Sequence, residues 1–122
     1  MSTKLQFGRD SAGYNAFAPN PAGDKYSATL ASGGNATLTL PTNAAAWIVS
    51  FSFQPGSDIW VAYNATAAPP AGSTFATTTS ELLPGSRYMP ALKNDGVTAA
   101  TLNLFNNGTA SADIGIALYA VS

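Results

Sequence analysis

Apolar and polar residues alternate along most of the chain after residue 26. The alternation has a period of two residues and recurs in short stretches at residues 27–31, 36–40, 47–53, 59–63, 97–105 and 112–121. Successive side chains of a β-strand point to opposite faces of a sheet, so this period is typical of half-buried strands. Two weaker stretches, residues 73–79 and 87–92, bring the number of predicted strands to about eight. No window has the apolar stripe of an amphipathic helix.

Turn-forming sequences separate these stretches and predict hairpins. Gly-Gly-Asn at residues 33–35 and Asn-Asn-Gly at residues 106–108 are tight-turn sequences. A Gln-Pro-Gly-Ser turn in the middle of residues 47–64 predicts a hairpin there. Residues 80–84 are predicted to end the weak strand at 73–79, and Pro90 restricts its strand to a sheet edge or a bulge. About eight short strands at this spacing predict an all-β, jelly-roll-like sandwich of two sheets.

The alternation also predicts which side chains form the core between the two sheets. One face of each predicted strand carries the larger apolar residues. These are Leu38, Leu40, Val49, Phe51, Phe53, Ile59, Val61, Leu102, Leu104, Ile114, Ile116 and Leu118.

Residues 1–26 differ from the rest of the chain and are predicted to form an extended N-terminal arm. This segment is rich in Gly and Pro and has neither a strand nor a helix period. Four aromatic residues, Phe7, Tyr14, Phe17 and Tyr26, are spaced along it, more than is usual in a disordered tail. We expect these four to be the anchors of a protein–protein contact. Residues 27–122 then form the β-sandwich domain.

The composition limits the kinds of partner. Only 9% of the residues are charged, the net charge is −1, and the five basic residues are scattered. Nucleic acid is therefore not an expected partner, because phosphate binding needs clustered Lys and Arg. No apolar run approaches the length of a membrane span, and no secretory signal is visible, so neither a membrane partner nor export is expected. A weakly charged surface suits a permanent assembly, and we expect a homo-oligomer, with a trimer favoured.

The chain is poor in catalytic side chains. It contains neither histidine nor cysteine, which removes the usual triads, the commonest general base and the usual zinc ligands. Its six carboxylates show no paired spacing, and Asp58, Asp95 and Asp113 are predicted to lie in or beside turns. We therefore expect no enzymatic activity, no metal site and no cofactor.

Two stretches resemble small virion proteins of tailed bacteriophages. They are residues 59–75, with the sequence Ile-Trp-Val-Ala-Tyr-Asn-Ala-Thr-Ala-Ala-Pro-Pro-Ala-Gly-Ser-Thr-Phe, and residues 80–85, with Ser-Glu-Leu-Leu-Pro-Gly, followed by a closing strand that ends at residue 122. The resemblance covers about residues 36–122 and is to jelly-roll decoration, or cement, proteins. It implies a protein made in the host cytoplasm that binds the major capsid protein and copies of itself on the capsid exterior. It also implies an arm that clamps a neighbouring subunit.

Two other non-enzymatic functions fit the same fold class. A receptor-binding domain of a phage tail or fibre would expose a cluster of aromatic residues on a rim of loops. A carbohydrate-binding module would expose a flat aromatic strip, for which Trp60 and Tyr119 are candidates.

Overall fold

The computed structural model describes residues 7–9, 15–19, 24–75 and 80–121, with the backbone alone for the first two ranges. Every regular element in these residues is a β-strand, and no helix occurs among them. The strands are β1 (Phe7–Arg9), β2 (Asn15–Pro19), β3 (Asp24–Leu30), β4 (Asn35–Thr39), β5 (Ala46–Phe53), β6 (Ile59–Tyr63), β7 (Ser80–Leu82), β8 (Ser86–Pro90), β9 (Thr101–Asn106) and β10 (Ala112–Val121). The prediction of an all-β chain is confirmed.

Strands β3 to β10 form two four-stranded antiparallel sheets. Sheet one has the order β3-β10-β5-β8, and sheet two has the order β4-β9-β6-β7. The pairs β3–β10, β4–β9, β5–β8 and β6–β7 are nested, as if one long hairpin had been folded over on itself. This is the strand order of a jelly roll, and it confirms the predicted sandwich.

The three predicted hairpins, however, are wrong. Strands β3 and β4, β5 and β6, and β9 and β10 are consecutive in the chain, but the members of each couple lie in different sheets. The turns therefore carry the chain across the sandwich and do not join paired strands. Of the connections between β3 and β10, only the one from β6 to β7 stays within a sheet. A turn sequence shows that the chain reverses, but it does not show with which strand the next strand pairs.

The crossing between β3 and β4 illustrates how these turns are held. Gly33, at a φ of 72°, donates its N–H to the carbonyl of Asn106 at 2.9 Å, and Asn106 donates back to the carbonyl of Gly34 at 2.9 Å. A side chain at position 34 would bring its Cβ within 2.9 Å of the Ala31 carbonyl oxygen. The corner is therefore tied to the end of β9 in the other sheet, and the Gly-Gly sequence permits the close approach.

Asn106 is the polar centre of this end of the sandwich. Its side chain is 1% exposed. Nδ2 donates to the carbonyls of Leu30 at 3.0 Å and Ala110 at 2.9 Å, and Oδ1 accepts the N–H of Gly108 at 2.9 Å. One side chain thus joins the end of β3 to the loop between β9 and β10, across the two sheets.

Replacing Asn106 by leucine is expected to lower the free energy of unfolding by about 2–4 kcal/mol, because three buried or half-buried backbone groups lose their partner. Asn107→Ala is the matched control, since the neighbouring amide is exposed and donates only to Asp58; its cost should be about 1 kcal/mol or less. Urea unfolding of the two variants measures the difference. Equal losses would show that Asn106 does not hold the crossing.

Ten of the twelve predicted core residues are buried. Leu38 and Phe53 are the other two, and they are half-buried and packed against the core. The prediction left out Trp47, which is fully buried, and Met89. It also left out small buried residues, such as Ala91 and Ala100.

Two other regions differ from the prediction. Residues 73–75 are not in a strand, residues 76–79 lie outside the described residues, and β7 occupies residues for which a break was predicted. In the N-terminal arm, β1 and β2 pair with each other in an antiparallel two-stranded sheet. Strand β3 begins at Asp24, so the last three residues of the arm belong to sheet one.

Candidate interaction surfaces

The four predicted anchor residues have different positions in the structure. Phe7 lies in β1 and Phe17 lies in β2, while Tyr14 lies outside the described residues. Tyr26 lies on β3, opposite Ile116 of β10, and its side chain is 38% exposed. Of the four, Tyr26 is the one whose side chain the structure describes, and it borders a cleft.

This cleft lies on one side of the sandwich, between the edge strands β3 and β4. Tyr26 and Ala28 face the core, because they pair with the inward-facing Ile116 and Ile114, yet both are exposed. The uncovered space has a volume of about 210 Å³. Its lining residues are mostly apolar and uncharged, and they include Ala36, Leu38 and Leu104 from sheet two. We call it the β3–β4 cleft.

Two small residues explain why the cleft is open. Ala28 on β3 and Ala36 on β4 occupy core-facing positions on the two edge strands, where larger side chains would meet across the gap. Alanine adds little volume, so Ile114 and Ile116 behind it line the cleft, although they are only 5% and 8% exposed. The sequence prediction missed this site. The only sign of the cleft in the sequence was an alanine at a core-facing position in each of two strands.

The backbone along the same side has no partner among the described strands. Of these strands, only β10 is hydrogen-bonded to β3 and only β9 to β4, so each has one edge free of described strands. Strand β3 is seven residues long and contains no proline. Long edges of this kind, without charge or proline near their middle, can accept an added strand from another polypeptide.

The opposite side of the sandwich is closed by an ion pair. Glu81 on β7 and Arg87 on β8 occupy core-facing positions on the two other edge strands, since they pair with the buried Val61 and Val49. Arg87 Nε donates to Glu81 Oε1 at 3.0 Å, and Nη2 donates to Oε2 at 2.9 Å. This ion pair links sheet two to sheet one along the side formed by β7 and β8.

The ion pair also changes the protonation equilibria of its members. Hydrogen bonds from Arg87 hold the pKa of Glu81 below its ordinary value of 4.5. Burial raises the pKa of the nearby Tyr63 hydroxyl well above its ordinary value. Glu81 is therefore a carboxylate and Tyr63 a neutral phenol at neutral pH, and neither is poised for proton transfer.

The contribution of the ion pair to stability is expected to depend on pH. Because the pKa of Glu81 is lower in the folded chain than in the unfolded chain, its carboxylate stabilises the fold at pH values above 4.5, and this stabilisation is lost as the pH falls through the folded pKa. The difference in unfolding free energy between the natural chain and Glu81→Gln should thus shrink between about pH 7 and about pH 3. Urea unfolding at several pH values measures it. A difference that stays constant would show that the pair does not stabilise the closed side.

Two other carboxylates, those of Asp58 and Asp95, accept hydrogen bonds that hold loops in place. Asp95 accepts the N–H groups of Val97 and Thr98 and the hydroxyl of Thr98, and these bonds lower its pKa to about 2. Asp58 accepts from the indole of Trp60 and the amide of Asn107. These two fit the predicted turn positions.

Asp113 was predicted to lie in or beside a turn, and this is wrong. It is the second residue of β10, and its carboxylate accepts the hydroxyl of Thr29 on β3 at 2.6 Å. In residues 24–75 and 80–121, no three acidic side chains come together in a group that could hold a metal ion.

The aromatic residues proposed for sugar stacking are only partly accessible. Trp60 and Tyr119 are half-buried, and the Trp60 indole N–H donates to Asp58 at 3.0 Å. Phe105 lies directly opposite Trp60 on the outer face of sheet two. The most exposed aromatic residues of the described chain are Phe75, in the loop after β6, and Tyr88, on the outer face of sheet one. They lie on different elements and do not form one strip.

Comparison with known proteins finds no relative. No protein-family model matches the chain, and no curated protein or solved structure is significantly similar to it. The described residues contain no helical segment with the length and hydropathy of a transmembrane span.

Proposed function

We propose that the chain is a non-enzymatic structural protein of a virus particle, a decoration protein that binds the exterior of a phage capsid and copies of itself. The jelly-roll domain serves as a rigid body, and the N-terminal arm makes the contact with a neighbouring subunit. The major capsid protein is the expected partner on the particle.

The observation that carries the proposal is the contrast between the two sides of the sandwich. The Glu81–Arg87 pair closes one side. The other side, where the aromatic arm joins β3, presents an apolar cleft and two strand edges that pair with none of the described strands. An accessible apolar surface next to a free edge is characteristic of a protein–protein contact.

The described polar groups support a binding function in preference to a catalytic one. Asp58, Asp95 and Glu81 are each occupied by hydrogen bonds that hold loops or strands in place. Individual contacts of a decoration protein need only modest affinity. A lattice offers many equivalent sites, and linked contacts raise the overall affinity well above that of each one.

A receptor-binding domain of a phage tail or fibre is the second candidate. The observation that favours it is Phe75, a fully exposed aromatic side chain in the loop that follows β6. A single exposed ring gives this candidate less support than the open side of the sandwich gives the first.

Locating the protein on particles tests the proposal. Antibodies raised against the purified protein are applied to particles released from cells that carry its gene, and the label is imaged by electron microscopy. We expect label over the whole capsid surface. Label confined to the tail would support the second candidate, and particles without label would contradict both. Binding of the purified protein to a glycan array, with no label on particles, would favour a carbohydrate-binding module.

A further inference from the structure

We propose that the β3–β4 cleft binds the N-terminal arm of a second copy of this chain, with the ring of Phe17 as the group that enters the cleft. This inference rests on the proposed function, because it identifies the contact by which neighbouring copies are joined. It assigns a binding partner to an apolar site that the domain's own described residues leave open.

The size and chemistry of the cleft suit one aromatic ring. Its volume is about 210 Å³, and an apolar cavity of about 150 Å³ is large enough to bind benzene. Ile114, Ile116 and Leu104 form apolar walls, and none of the described lining residues is charged. A phenyl ring would gain apolar burial there without leaving any polar group unpaired.

The free edge of β3 can hold the backbone of the same segment. In an added strand, hydrogen bonds to the edge give affinity, and side chains on alternate positions enter pockets. The sequence of β2 is Asn-Ala-Phe-Ala-Pro, with Phe17 at its centre between Ala16 and Ala18. An extended segment with this sequence can direct the ring toward the cleft while its neighbours, both alanine, place little bulk on the outer face.

The strand pairing within the chain favours a second copy as the source of the arm. Strand β2 pairs with β1, and among the described residues neither of these strands pairs with β3. The edge of β3 is thus not paired with β2 of the same chain. Identical copies at high local density on a lattice would supply the arm at a high effective concentration.

Disulfide trapping tests the contact, and the natural chain suits it because it contains no cysteine. One full-length variant carries Asn15→Cys, which keeps the Phe17 ring and lies two positions before it in β2, and a second, distinguished by a size tag, carries Ala28→Cys in the cleft. The purified variants are mixed without capsids and oxidised. We expect the disulfide-linked heterodimer with Ala28→Cys to form at least about tenfold faster than the heterodimer with Thr39→Cys. Thr39→Cys is the matched control, because position 39 is exposed on the outer face of the other edge strand.

Each other outcome of this experiment is decisive. Equal rates with Ala28→Cys and Thr39→Cys, or no heterodimer with either, would overturn the proposal. A double variant with Asn15→Cys and Ala28→Cys that forms mainly an internal disulfide would also overturn it, since the cleft would then bind its own arm. Ala36→Cys, on the other wall, repeats the test if Ala28→Cys does not fold. No particle is present in this experiment, so its result reports the contact between two copies alone. Capsid binding is measured separately, by labelling particles, and the two failures can therefore be distinguished.

Discussion

Deletion of residues 2–22 is expected to leave the β-sandwich folded and to reduce its attachment to capsids at least about tenfold. The deletion ends before Asp24, where β3 begins, so both four-stranded sheets keep all their strands. The deleted segment contains Phe7, Tyr14 and Phe17, and each aromatic side chain that finds a pocket buries about 150–250 Å². Co-sedimentation with purified capsids measures attachment, and thermal unfolding measures the integrity of the domain.

The physical reason is that an extended arm remains docked only when several anchors act together. Ordering a free chain costs about 1–2 kcal/mol per residue. A single buried ring contributes only a few kcal/mol, so on its own it can order only the few residues beside it and not the whole arm. Loss of the arm therefore removes a set of contacts that depend on one another.

A variant of full length separates anchoring from chain length. In it Phe7, Tyr14 and Phe17 are all replaced by alanine while the arm keeps its prolines and glycines. We expect it to bind capsids as weakly as the deletion variant. If both variants bind as tightly as the intact protein, the arm is a passive tail. If the deletion variant does not fold, the arm belongs to the protein's own core.

The strands could be predicted from the sequence because the period of two residues is a local property. In β10, Ile114, Ile116, Leu118 and Ala120 alternate with half-buried residues, and the predicted bounds match the observed ones. The direction of each side chain follows from the pleat alone, so it does not depend on which strand lies alongside. The core could therefore be predicted without knowledge of the strand order.

The partners of the strands could not be predicted in the same way. The turn at residues 54–57 reverses the chain, but β5 then pairs with β8 and β10, and β6 pairs with β7 and β9. Pairing depends on the twist of the strands and on packing between distant segments, and neither is contained in four residues of turn sequence. This is why the jelly-roll class was correct although all three hairpins were wrong.

The candidate site depends on the same missing information. Ala28 and Ala36 leave a cleft only because β3 and β4 are both edge strands on the same side of the sandwich. Glu81 and Arg87 join the sheets on the other side because β7 and β8 are also edge strands that lie on one side of the sandwich. Sequence reasoning could name Tyr26 as a candidate anchor, but it could not place the surface beside it.

Replacement of Trp47 by alanine is expected to have the largest effect of any single substitution in the core, a loss of about 3–5 kcal/mol in the free energy of unfolding. Its side chain is the largest of those that are fully buried. Its indole N–H also donates to the carbonyl of Pro41 at 2.9 Å, which holds the connection between β4 and β5 against the core. Alanine leaves a large cavity and an unpaired carbonyl, and both are costly.

Two further substitutions separate the cavity from the hydrogen bond. Trp47→Phe removes the N–H donor but keeps most of the apolar volume, so its loss should be smaller, about 1–3 kcal/mol. Trp60→Ala is the matched control, since that tryptophan is half-buried on the outer face of sheet two and donates to Asp58. Its loss should fall well below that of Trp47→Ala, because solvent already reaches the ring. Denaturant unfolding of the three variants gives the order, and equal losses at positions 47 and 60 would mean that the inward face of β5 has been assigned incorrectly.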